Sequence, residues 1–473
     1  MRLSLNASAA AALLAVGLAQ AAEPPEVTLS TAQRTALGIT VYNDGQALVR
    51  DTRKATLARG VQRVAFRDVA ATIVPETAAL QALGGTGFAL LEQNFDFDLL
   101  SPESLLQKYV GRRVTVTRTN PATGAETSEQ ATVLATNSGV VLRYADRIET
   151  SAAGRLSFAD VPANLRDRPT LSMLVDAPKG GEQPLELMYL ANSIAWKADY
   201  VANLDAGASH MTLAGWVTLT NQSGTAYEDA RLQLVAGTLN RVRAQRRALP
   251  LAGAVEMQAK AAAMSEEGLA DYHLYTLARP TTIAQNQTKQ VALLSAANVP
   301  VRREYELLPG AFEYWYLNRQ PGVQKGLKPG VYLKFENRGG DLGIPLPAGT
   351  VRVYQPDRGG AAQFVGEDAL AHTAKGEEVT LRLGEAFDIT ADRVQTGYRA
   401  LGERARENSY RIEIRNARAQ PVTVTVRESL RGEWSISSES HPHVKESASS
   451  VYWLVDVPAE GRSTLEYTAI VSW

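Results

Sequence analysis

The 473-residue chain contains no cysteine. Disulfides, thiolate nucleophiles, cysteine-bound zinc, Fe–S clusters and a lipid anchor on an N-terminal cysteine are therefore excluded. Histidine is scarce, with five residues in all: His210, His273, His372, His441 and His443. Nor is there a surplus of either charge. The 49 Lys+Arg and 50 Asp+Glu leave a formal net charge of −1, without the basic excess by which a nucleic-acid binder engages phosphates. Beyond the N-terminus no run approaches the ~20 apolar residues a spanning helix needs. A G-x-S-x-G elbow, an H-E-x-x-H helix and a G-x-x-x-x-G-K-[ST] loop are likewise missing. Gly84-Gly85-Thr86-Gly87 is rich in glycine but opens no helix, so it reads as a turn and not a phosphate cradle.

What is present describes a folded protein. Apolar residues make up 45% and charged residues 21% of the chain, the balance of a globular and not a disordered sequence. The length suggests roughly two to four domains. Arg2, the apolar stretch Ala9 to Leu18 and the small-x-small Ala19-Gln20-Ala21 predict a signal peptide over residues 1–21, cleaved before Ala22. An uncleaved anchor is the alternative, but the run is short and ends at Glu23-Pro24-Pro25. The expected location is the periplasm, with no transmembrane span in the mature chain.

Short alternating runs separated by Gly, Asn, Asp and Pro turns predict a mainly β protein. Residues 22–111 read as an N-terminal β region with a hairpin turn at Tyr42-Asn43-Asp44-Gly45 and a short helix. That helix starts at Ser101-Pro102-Glu103, a capping hydroxyl followed by proline and an acid in the first turn, and should stop by Gly111. Five short strands within 112–161 suggest an inserted small β-barrel, or strands that extend the neighbouring sheet. Residues 162–330 are expected to form a β-sandwich carrying a flexible or partly helical insertion at 241–271. Residues 331–473 are expected to form a C-terminal immunoglobulin-like β-sandwich. Three alternating segments, Trp216–Asn221, Val331–Asn337 and Tyr410–Asn416, each end in Asn before a polar turn and another strand. Asn suits that position because its side chain bonds nearby backbone and tolerates a left-handed conformation. The last strand alternates Leu465, Tyr467, Ala469 and Val471 with polar residues, as either a closing sandwich strand or a membrane-barrel strand would.

Several clusters carry candidate chemistry. Glu367, Asp368 and His372, with Glu377 and Glu378, form the densest acid/base group, suited to general acid/base work on a glycan if the carboxyls face each other across a cleft; a solvated turn explains the same residues. His441-Pro442-His443 places two imidazoles at i, i+2, a metal-like spacing that an exposed polar loop explains equally. Asn94-Phe95-Asp96-Phe97-Asp98 puts Asp96 and Asp98 on one strand face, where they would serve a calcium ion or simply a half-buried strand. Tyr314, Trp315, Tyr316 and Arg319 crowd an aromatic and cationic stretch of the kind found at binding hot spots, or in a sandwich core. No cofactor is implied.

Further motifs recur in order: Tyr42-Asn43-Asp44-Gly45 with Ala47-Leu48-Val49, Tyr109-Val110-Gly111-Arg112, and Trp196-Lys197-Ala198-Asp199-Tyr200. Pro280-Thr281-Thr282-Ile283, Pro345-Leu346-Pro347-Ala348-Gly349 and Gln363-Phe364-Val365-Gly366-Glu367-Asp368 follow. Together they resemble the secreted bacterial proteins of the domain of unknown function family 4139, distantly related to proteins called mucoidy inhibitor A. The resemblance spans nearly the whole mature chain. It implies an exported, β-rich protein and transfers no catalytic residue; the long coiled-coil insertion of the mucoidy inhibitor relatives is absent here. The expected function is non-enzymatic binding of an envelope protein, or self-association. A glycan-binding protein or hydrolase using Glu367, Asp368 and His372 is the alternative.

Overall fold

A computed structural model describes residues 24–84, 87–96, 98–137, 139–162, 165–237, 264–269, 272–308, 322–339 and 341–472. The signal-peptide expectation at 1–21 and the aromatic stretch Tyr314–Arg319 lie outside the described residues. Strands dominate, as the alternating pattern predicts, and the chain divides into two compact units.

The first unit takes the residues up to Ala36 together with Arg50–Tyr189. Its four-stranded sheet runs Glu26–Leu29, Gly60–Arg67, Thr170–Ala177, Ala89–Asp96 in spatial order. The two inner strands are buried through Val64, Phe66, Leu171 and Met173. A charge is enclosed beside them. The Arg53 guanidinium, fully buried, donates to Asp51 at 2.7 Å and to the Leu29 and Arg67 carbonyls, each at 2.7 Å. Burial opposes the charge on Asp51, but Arg53 and Arg34 outweigh that penalty and hold its carboxyl below the ordinary value. A buried charge of this kind is tolerable only when paired and hydrogen-bonded.

The predicted helix is Pro102–Lys108, capped by Ser101, whose hydroxyl accepts the Ser104 N–H at 3.0 Å; Pro102 leads and Gly111 follows at φ +83°. The small barrel expected after it is instead an open five-stranded sheet. Its order is Ile148–Glu149, Val141–Arg143, Glu126–Ala135, Arg113–Thr119, Arg155–Ser157. The two edge strands have two and three residues, and no ladder joins them among the described residues. Tyr109, Val114, Val116, Val133 and Leu142 fill its core.

The second unit, Leu37–Val49 and Leu190–Trp473, holds the sandwiches. One five-stranded sheet runs Gln287–Pro300, His210–Asn221, Ile194–Leu204, Gly349–Pro356, Ala362–Leu370. The strands Tyr227–Ala236 and Tyr272–Leu277 pair with each other in a separate sheet. Within the stretch read as a flexible or partly helical insertion, Met264–Leu269 is a strand. It pairs antiparallel with Tyr272–Leu277, whose own alternation supplies the partner ladder; the rest of that insertion lies outside the described residues.

The C-terminal sandwich packs a six-stranded sheet on a five-stranded one. The first runs Glu378–Glu385, Gly330–Glu336, Arg302–Leu307, Val422–Ser429, Ser450–Val457, His443–Lys445. The second runs Val323–Leu327, Ile389–Ala400, Ala405–Asn416, Gly461–Ser472, Glu433–Glu439. Strands from before residue 331 thus enter this sandwich, while Gly349–Leu370 joins the other, so the two interleave along the chain. Ile412, Val424, Trp453 and Val455 form the core together with Leu465, Tyr467, Ala469 and Val471. The last strand therefore closes a sandwich with its alternating side chains.

The three strand-ending asparagines occupy equivalent places. Asn221, Asn337 and Asn416 are all buried. Each amide nitrogen donates to carbonyls of its own turn and of a neighbouring hairpin: Asn221 to Thr225 and Ala284, Asn337 to Ile344 and Ala374, Asn416 to Gln420 and Pro458. Each amide oxygen accepts a backbone N–H, from Ser223, Gly343 and Arg418. None has a positive φ, so the side-chain bonding, and not the tolerance of left-handed backbone, is what the fold uses.

Candidate functional site

Three of the ordered motifs meet in the second unit. Ala198–Asn203 and Gly349–Tyr354 pair in parallel, and a Cβ on Gly349 would overlap the Ala198 carbonyl oxygen, so only glycine permits this approach. The preceding Pro345 and Pro347 have no N–H to give a ladder. Their carbonyls are held instead by two buried phenols, Tyr275 Oη at 2.9 Å and Tyr200 Oη at 2.8 Å. Burial pushes both phenol pKa values up, so they remain donors throughout the ordinary pH range.

His372 closes this junction. Its Nδ1 accepts the Ala348 N–H at 3.2 Å, which leaves the ring proton of the neutral form on Nε2. Burial, reinforced by the charge of His273, lowers its pKa from the ordinary value. Glu367 and Asp368 are successive strand residues and point to opposite faces. Glu367 pairs with Arg352 at 3.3 Å, whereas Asp368 accepts the backbone N–H groups of Arg382 at 2.7 Å and Ala369 at 2.8 Å. The structure thus engages the two carboxylates separately, and they do not face each other across a cleft as glycoside hydrolysis requires.

The other sequence candidates are also engaged. Asp96 accepts from Arg166 at 3.2 Å and Ser172 at 3.3 Å, while Asp98 pairs with Lys108 at 2.6 Å. His443 Nδ1 lies 2.9 Å from Glu439, whose carboxylate also accepts the Trp453 indole N–H at 2.9 Å; His441 bonds its neighbour Ser440. Burial opposes the Glu439 charge, yet the Trp453 and His443 bonds outweigh it and lower the pKa. Among the described residues no group of three His, Asp or Glu side chains is arranged to hold a metal ion.

A feature not singled out in the sequence lies on the outer face of the six-stranded sheet. Val444 and Tyr452 are register partners, with Leu454 two residues along. Val444 is 44% and Leu454 54% exposed. Beside them the face is laced with ion pairs: Arg427 bonds both Glu306 and Glu446 and lies over the Tyr452 ring at 5.4 Å, and Lys334 pairs with Glu304 at 2.9 Å. The signal was legible in Val451-Tyr452-Trp453-Leu454-Val455, a run apolar on both faces in a strand with only one face on the core.

A family model described as a domain of unknown function, DUF4139, matches residues 185–473, more than half of the chain. The chain belongs to that family. The match takes in the Trp196–Tyr200, Pro345–Gly349 and Gln363–Asp368 motifs that the fold assembles. Tyr42–Val49 and Tyr109–Arg112 lie outside it, so the family assignment rests on the later motifs. No curated protein matches the chain.

Proposed function

We propose that this DUF4139 protein is exported through cleavage of residues 1–21 and works without catalysis in the periplasm, binding an envelope protein or a second copy of itself. The reading includes a distant kinship with mucoidy inhibitor A proteins. The observation that carries it is the Val444–Tyr452–Leu454 patch: exposed Val444 and Leu454 beside half-buried Tyr452, on a sheet face rimmed by ion pairs, suit an interface centre with a polar rim. The aromatic stretch Tyr314, Trp315, Tyr316 and Arg319 is proposed as a second contributor from its composition alone.

In-cell crosslinking of the tagged protein, followed by mass spectrometry, tests the reading. One abundant envelope protein, or a discrete homo-oligomer, is expected with the wild type and is lost in Leu454→Asp. Monomer alone from the wild type, or an unchanged complex in the variant, contradicts it.

A further inference from the structure

The outer face of the other five-stranded sheet offers a second surface with different chemistry. Trp196, Ala198, Tyr200 and Ala202 point inward and are buried. Lys197, Asp199 and Val201 therefore face outward, with Trp216 and Thr218 beside them on the adjoining strand. Trp216 is the register partner of Asp199 on one side and Ala292 on the other. Its neighbours along its own strand and diagonally on Ile194–Leu204 are Ala214, Thr218, Val201 and Lys197, none of them aromatic. A half-buried indole flanked by these aliphatic and polar side chains is a platform for a flat apolar surface.

Around it the polar groups are fixed in place. Asp199, only 8% exposed, accepts the Thr218 hydroxyl at 2.8 Å and Arg352 at 3.2 Å, and lies 3.6 Å from the Lys197 ammonium. Arg352 continues to Glu367 at 3.3 Å. The carboxylate of Asp199 is used up. The ammonium of Lys197 and the carboxylate of Glu367 are mostly exposed, and both retain hydrogen-bonding capacity. Two cations and two anions cancel, so the surface favours neither an anionic nor a cationic partner. At the far end Tyr354 and Phe364 form an edge-to-face pair at 5.6 Å, with Phe364 exposed. The register places Tyr354 two strands across and four residues along from Trp216, about 16 Å away.

We propose that this face binds a neutral oligosaccharide, with Trp216 and the Tyr354–Phe364 pair stacking on separate sugar rings and Lys197, Arg352 and Glu367 bonding hydroxyls between them. A sugar has what this surface complements: an apolar ring face, donors and acceptors in alternation, and no charge. Glu367 is a binding residue here, without a catalytic role. The inference goes beyond the protein-binding reading and uses a different sheet.

The test uses the full mature protein on an array of uncharged glucose, galactose and N-acetylglucosamine dimers and hexamers, with titration calorimetry on any hit. Expected are binding of at least one hexamer more tightly than its dimer, and a loss of roughly tenfold or more in Trp216→Ala. Trp216→Phe should retain most of the affinity, and Leu454→Asp all of it, which separates this surface from the apolar patch. Circular dichroism and thermal unfolding of each variant guard against misfolding; if Trp216→Ala fails to fold, Phe364→Ala and Lys197→Gln replace it, each with weakened hexamer binding expected. No binding to any array sugar, unchanged affinity in these variants, or capture of an extended peptide by the same face would overturn the proposal.

Discussion

Asn416 provides a quantitative test of how the sandwiches are held. Its amide nitrogen donates to the carbonyls of Gln420 at 2.8 Å and Pro458 at 3.1 Å, and its oxygen accepts the Arg418 N–H at 3.0 Å. Asn416→Ala deprives three backbone groups of their partner. A buried group left unpaired costs about 1–3 kcal/mol, and water reaches part of this turn, so the expected total is about 2–4 kcal/mol. Asn416→Asp should cost more, because a carboxylate oxygen then faces two carbonyl oxygens in a site only 2% exposed. The introduced carboxyl has a higher pKa folded than unfolded, so the deficit relative to Asn416→Ala grows as pH rises above the ordinary carboxyl value of about 3.9 and shrinks below it, where the protonated group can donate. Hydrogen exchange over residues 405–429 and 450–466, with urea unfolding at pH 4 and pH 7, reads both effects. An alanine variant within about 0.5 kcal/mol of wild type, or an aspartate variant equal to alanine at pH 7, would show that these bonds do not hold the turn.

Other consequences follow from the same packing. The folded Glu439 pKa lies below its ordinary 4.5, so its contribution is complete above that value and lost as pH falls through the folded pKa; Glu439→Gln should flatten the acid limb of the stability profile. Removing Glu428 alone, by Glu428→Leu, should cost about 3–5 kcal/mol by leaving the Arg393 guanidinium buried without its carboxylate, while Arg393→Met with Glu428→Leu should recover much of that loss in unfolding experiments. Gly349→Ala should destabilise the second unit by about 1–3 kcal/mol or more through the clash with Ala198, measured as a lower unfolding midpoint.

The secondary structure was readable wherever a local rule governed it. Ser101-Pro102 announced the helix because capping needs only neighbouring residues, and Asn221, Asn337 and Asn416 marked turns because an amide satisfies its own loop. What escaped was set by partners distant in sequence. The ladder that makes Met264–Leu269 a strand comes from Tyr272–Leu277, and helix-forming residues there concealed it. Whether five short strands close depends on an edge pairing that the individual strands do not encode. The same limit applies to the candidate sites. Glu367 and Asp368 are adjacent in sequence, but strand geometry sends them to opposite faces. Asp199, Trp216 and Arg352 come from three different strands, so only their register brings them side by side.

The Leu454 contact is tested by a photo-crosslinking amino acid placed at Leu454 of the protein expressed in its own cells, with Arg462, an exposed residue on a strand of the other sheet, as the control site. Burial of a leucine is worth about 1.5–3 kcal/mol, enough to make this position a contact centre. One discrete adduct, an envelope protein or a second copy of the chain, is expected at Leu454 and not at Arg462, and is lost when Val444→Asp is added. Uncrosslinked monomer at both positions, or the same adducts from both, would contradict it.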